Sequence, residues 1–120
     1  MKATFYGILS SLIILTLSST AFAHAFLDHA EPKVGSEIEK APTEVKAWFT
    51  QHIEPAFSKL EVFDADGKQV DNKDCHVDST DKGLLIVTLP QLSAGTYKVS
   101  WKVVSVDTHR THGDFKFTVK

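Results

Sequence analysis

Residues 92–105 read Leu92-Ser93-Ala94-Gly95-Thr96-Tyr97-Lys98-Val99-Ser100-Trp101-Lys102-Val103-Val104-Ser105, a turn sequence that runs into a long stretch rich in Val, Tyr and Trp. Aromatic and β-branched side chains suit a pleated, half-buried surface, so Thr96 to Ser105 reads as a strand entered through the turn before it. Downstream, Asp107 to Gly113 is polar. Asp114 to Lys120 then sets Phe115, Phe117 and Val119 at alternate positions, the period of a strand with one wet face. The two strands are read as a hairpin whose connection presents Asp107, His109 and His112. Upstream, Leu84 to Leu89 is an apolar strand closed by Pro90.

The rest of the chain carries the same signature more faintly. Val45, Ala47 and Phe49 alternate with Glu44 and Lys46, although Trp48 interrupts the pattern, and Leu60 and Val62 alternate with Lys59 and Glu61. Asp64-Ala65-Asp66-Gly67 is a tight turn, with Gly67 free to take a positive φ, that joins the strand ending at Phe63 to one beginning near Lys68. Asn72 to Lys82 is polar and acidic and reads as a surface loop with a short edge strand, holding Cys75 and His76. Short β-rich runs divided by turns at intervals of roughly ten residues describe a sandwich or small barrel.

The chain opens with Lys2, a mostly apolar run from Phe5 to Leu17, then Ser18, Ser19 and Thr20 before Ala21-Phe22-Ala23. This is the form of a secretory signal with an A-x-A cleavage site after Ala23. A membrane span needs roughly 20 predominantly apolar residues, and the serines at 10, 11, 18 and 19 break this stretch too early. Without a cysteine after the small residues there is no thiol for an acyl anchor. The expectation is a cleaved leader, residues 1–23, and one soluble domain, residues 24–120. Of 13 basic and 15 acidic residues the leader takes only Lys2, leaving 12 against 15, a formal −3, and no basic run that would neutralise a nucleic-acid backbone. With Cys75 as the single cysteine, the exported domain folds on its apolar core and not on a disulfide.

Cleavage after Ala23 leaves His24 at the new terminus, where its α-amine and imidazole Nδ1 chelate one metal through a six-membered ring. Asp107 and His109 are two residues apart, so in an extended segment both side chains leave the same face and offer a carboxylate oxygen and an imidazole nitrogen to one point. The three residues make an N₃O set. Copper(II) favours tetragonal nitrogen and oxygen donors and heads the divalent affinity order, whereas zinc prefers a tetrahedral site. Copper(I) favours soft sulfur donors, and the one methionine, Met1, leaves with the leader. Cys75 and His76 are a soft pair in composition, but adjacent strand residues point to opposite faces. His29, His52 and His76 are read as solvated or locally bonded imidazoles. His112 stays open, either a spare weak ligand or a surface histidine.

Across essentially all of residues 24–120 the chain resembles the CopC family of periplasmic copper-resistance proteins. The resemblance rests on His24-Ala25 after the signal site, Pro32 with Gly35-Ser36, and Leu92 to Trp101 running into Ser105-Val106-Asp107-Thr108-His109. It implies an all-β fold, a seven-stranded Greek-key β-sandwich or barrel of the immunoglobulin-like, cupredoxin-like kind. It implies one copper(II) held by His24, Asp107 and His109, a monomer, and a supply partnership with the inner-membrane protein CopD. Three departures from the family accompany it. There is no methionine-rich loop for a second, copper(I) site. Phe49-Thr50-Gln51 stands where some members carry a glutamate, which leaves Gln51, His112 or water to complete the site. Arg110 replaces a proline that often follows the histidine.

A periplasmic copper carrier or buffer fits this ligand set, which brings no general base and no substrate pocket. An oxygen-activating copper monooxygenase, which also uses an N-terminal histidine, is the enzymatic alternative; its broad substrate surface belongs to a larger domain. A blue-copper electron carrier needs Cys, two His and usually Met around one ion, and no methionine follows Cys75. An adhesive sandwich without metal is the remaining alternative.

Overall fold

The structure, a computed structural model, describes residues 25–120. Eight strands run in chain order: β1 Leu27–Glu31, β2 Glu37–Ile38, β3 Glu44–Phe49, β4 Lys59–Phe63, β5 His76–Val77, β6 Leu84–Thr88, β7 Gly95–Val104 and β8 Arg110–Val119. They form two four-stranded sheets, ordered β1-β3-β6-β5 and β2-β8-β7-β4. The pairings are antiparallel except for β2 on β8. The fold is the expected all-β sandwich, with open sheets and not a barrel. The described residues form eight strands and not seven, two of them, β2 and β5, being two-residue edge pairings. A single 3₁₀ turn, Pro55–Phe57, interrupts the strands. Among the described residues no helix is long and apolar enough to cross a membrane.

The alternation of β3, β4, β7 and β8 becomes a core face. Tyr97, Val99, Trp101 and Val103 of β7 and Phe115, Phe117 and Val119 of β8 point inward, against Val45, Ala47 and Phe49 of β3 and Leu85 and Val87 of β6. Full burial of a side chain such as Phe117 or Leu60 stabilises by roughly 1.5–3 kcal/mol. Trp48 does not break the β3 pattern. It faces outward opposite His29, whose ring stacks on the indole with centroids 4.3 Å apart and planes at 10°.

The turns hold as their side chains dictate. Asp64 Oδ1 accepts from the Asp66 and Lys68 amides at 3.0 and 2.9 Å, Gly67 sits at φ 80°, and the chain returns to bridge Phe63 with Gln69. The return is a single bridge and not a strand. Buried Asp71 accepts from the Val62 and Lys73 amides, each at 2.8 Å, and so ties this return to β4. The Tyr97 hydroxyl donates to the Ser93 carbonyl at 2.6 Å, fixing the turn before β7.

Candidate metal centre

The β7–β8 hairpin closes through residues 105–109 around one buried hydroxyl. Ser105 has no exposed surface; its amide donates to the His109 carbonyl at 2.9 Å, and Thr108 donates back to the Ser105 carbonyl at 2.8 Å. Ser105 Oγ donates to Asp107 Oδ1 in a short contact. The same oxygen also accepts from the His109 amide at 3.3 Å. Asp107 Oδ2 then lies 3.2 Å from His109 Nδ1, with both side chains nearly half exposed. The two meet, but not because the segment is extended: Thr108 takes a left-handed φ of 72°, and the turn folds His109 back onto Asp107. The Ser105 hydroxyl, and after it the His109 ring, hold the Asp107 carboxyl below the ordinary carboxylate range, so it stands ionised at neutral pH.

Two further segments converge on this end of the sandwich. The chain enters at Ala25, which is fully buried and whose carbonyl accepts from Thr111 Oγ1 at 2.6 Å, two residues beyond His109. Phe26 and Thr50 exchange bonds, the Phe26 amide donating to Thr50 Oγ1 at 3.1 Å and the Thr50 amide to the Phe26 carbonyl at 2.9 Å. The segment after β3 then runs beside the loop: Val106 donates to the His52 carbonyl at 3.1 Å, Ile53 bridges Ser105, and Glu54 donates to the Val104 carbonyl at 2.7 Å. His24 lies outside the described residues. Among the described residues no three His, Cys, Asp or Glu side chains come together as a metal site, so Asp107 and His109 stand as a pair.

The CopC domain pattern matches residues 27–120. The chain belongs to the CopC family. It is 35% identical to copper resistance protein C of Xanthomonas campestris pv. juglandis over 109 residues, 86% of this chain and 85% of that one. It is 28% identical to copper transport protein CutJ of Bacillus subtilis over 120 residues, 99% of this chain, but it spans only 22% of that protein's length. The crystal structure of CopC from Methylosinus trichosporium OB3b superposes with a TM-score of 0.76 at 32% identity, covering 81% of this chain and 94% of that one.

Within this CopC fold the remaining histidines separate. His112 belongs to β8 and not to the loop; it pairs with Lys102 and is exposed, while its neighbour Thr111 reaches the opposite side to hold Ala25. Successive strand residues face opposite ways, so His112 points away from where the chain enters. His76 sits on the β5 edge with Nδ1 2.9 Å from the Asp74 carbonyl. Cys75 packs against the core beside it, and burial, reinforced by Asp71, Asp74 and Glu61, pushes its thiol up to about 11. That protonated, inward thiol and the outward His76 ring share no point in space. His29 is engaged by Asp28 at 2.6 Å and by Trp48, and His52 is exposed at the loop's flank. Gln51 is half-buried next to Thr50. Ser105, Thr111 and Thr50 are small hydroxyl residues whose type in the sequence carries no signal of these positioning roles.

Proposed function

We propose that this protein is an exported copper(II) carrier or buffer of the periplasm, its leader cleaved after Ala23. One ion is bound by the α-amine and Nδ1 of His24, the carboxylate of Asp107 and the imidazole of His109. The observation that carries the reading is the anchoring of Ala25 on Thr111 beside the Asp107–His109 pair. Consecutive Cα atoms are about 3.8 Å apart, so a ligand supplied by the residue before Ala25 would enter from an anchor on Thr111, two positions from His109 and four from Asp107. An ionised carboxylate with nitrogen donors suits copper(II), and the names of the relatives support copper as the cargo. In this reading the protein holds the ion and passes it on, as a monomer, to a membrane acceptor of the CopD kind.

The test compares copper(II) affinity, by competitive titration, of the processed protein and a form retaining one extra residue before His24. Loss of the free amine at the chelating position is expected to weaken binding by at least a hundredfold. Equal affinities would sink the ligand set. In the processed protein, His109→Ala should abolish tight binding, while His76→Ala and His112→Ala should leave it within about twofold.

A further inference from the structure

The outward face of the β4–β7–β8 sheet sets charges of one sign opposite each other. Its register places Lys59 beside Lys102, Lys102 beside His112, Lys98 beside Lys116, and Arg110 beside Val104. On these three strands only Glu61 and Asp114, in the row through Ser100, carry the opposite charge, while Glu37 of β2, beside Thr118, is paired with Lys120. Five cations and two carboxylates make this face +3. The other described residues carry seven cations and thirteen carboxylates. Among the described residues the ion pairs engage Lys46, Lys120, His29 and His109, and none of the five cations.

Like charges directly opposite on a sheet oppose folding. Lysines on edge strands guard against sheet-to-sheet pairing; β7 is interior to its sheet, whereas β8 is covered by β2 only at Thr118 and Val119. Edge protection accounts for Lys59 on β4 and Lys116 on β8 but not for Lys98 and Lys102 on β7; attraction of an external anion is a role that uses all four.

We infer that this face docks the protein on an anionic phospholipid bilayer. The cations are spread over three strands about 4.8 Å apart, in rows about 7 Å apart, on a flat surface and not a groove. Four of the five are lysines, point charges on flexible stems that follow mobile phosphates and do not demand the fixed geometry of a bidentate acid. Clusters of four to eight basic residues are the size that anionic leaflets attract. A shallow depression of about 350 Å³ there has Lys98, Lys116 and Thr96 on one side and Phe63 and the turn carrying Asp64 and Gly67 on the other, with two cations against one carboxylate. The inference is independent of the metal reading. Docking this way would lay the 105–109 loop at the margin of the bilayer surface, since Arg110 follows it directly.

The test is flotation of the processed, metal-free protein with phosphatidylglycerol–phosphatidylcholine vesicles and with pure phosphatidylcholine vesicles. Binding to the anionic vesicles alone, falling at least tenfold between 20 and 200 mM salt, is expected. Lys98→Gln/Lys102→Gln/Lys116→Gln should lose it by tenfold or more, while Lys33→Gln/Lys46→Gln/Lys73→Gln, with the same change in net charge, should stay within twofold. Circular dichroism of both triple variants verifies that they fold. Equal losses in the two triples, equal binding to neutral vesicles, or no vesicle binding at low salt would each overturn the inference. Retention on immobilised polyglutamate without vesicle binding would reassign the face to an acidic protein.

Discussion

Ser105 governs the loop through a single oxygen that meets both Asp107 and the backbone of His109. Ser105→Ala should lower stability by about 1 kcal/mol, read in urea, and weaken copper(II) binding roughly tenfold as His109 loses its registry. By NMR titration the Asp107 carboxyl should move up toward the ordinary range, because its main hydroxyl donor is gone. The depressed wild-type group contributes stability above its unfolded value of about 3.9, and that contribution disappears as pH falls through the folded value. Cys75 runs the other way. Its folded thiol, at about 11, contributes stability below the unfolded value of about 8.5 and loses it as pH rises toward 11. Iodoacetamide at pH 8 should alkylate the folded protein roughly a hundredfold more slowly than the urea-unfolded chain, as mass spectrometry would measure. Asp107 and His109 were legible as a spaced pair of donor types. Their meeting through a left-handed Thr108 was not, since an extended reading of the same spacing makes the same promise.

At the level of elements, β7 was plain in the sequence because its aromatic and branched residues recur with period two over ten positions. β8 is longer than its apolar pattern. It begins at Arg110 and not Asp114, because its first inward residues are Thr111 and Gly113, which carry no apolar signal. Gly113 is small because Trp101 lies across it; a Cβ there would come 2.6 Å from the indole ring. Gly113→Ala should therefore displace Trp101, cost about 1–3 kcal/mol and shift the tryptophan fluorescence, with thermal melting and emission spectra as the measurements. β2 and β5 exceed what a pattern can reveal, since two residues define no period. β1 hides for a related reason: Ala30 is its one buried residue.

For the whole molecule, the proposed site gathers the chain's entry, the segment after β3 and the β7–β8 loop at one end, a convergence no local pattern contains. A ligand bound only by the folded state at a hundredfold over Kd adds about 2.7 kcal/mol, which for a domain near 100 residues raises Tm by roughly 10 °C or more. Copper(II) should produce that rise in differential scanning fluorimetry of the processed protein, and none when the α-amine is acetylated; an equal rise in both would place the metal elsewhere. Sheet topology was foreseeable as a class, whereas the clustering of like charges on one face depends on register and emerged only with strand pairing. The parallel seating of β2 on β8 has a practical consequence. Lys120 donates to the Ile38 carbonyl at 2.9 Å, ten residues along β8 from the hairpin tip and hence about 30 Å away. A fluorophore or affinity handle appended after Lys120 would stay clear of the proposed metal ligands, whereas one placed at the opposite terminus would block the amine that the proposal needs.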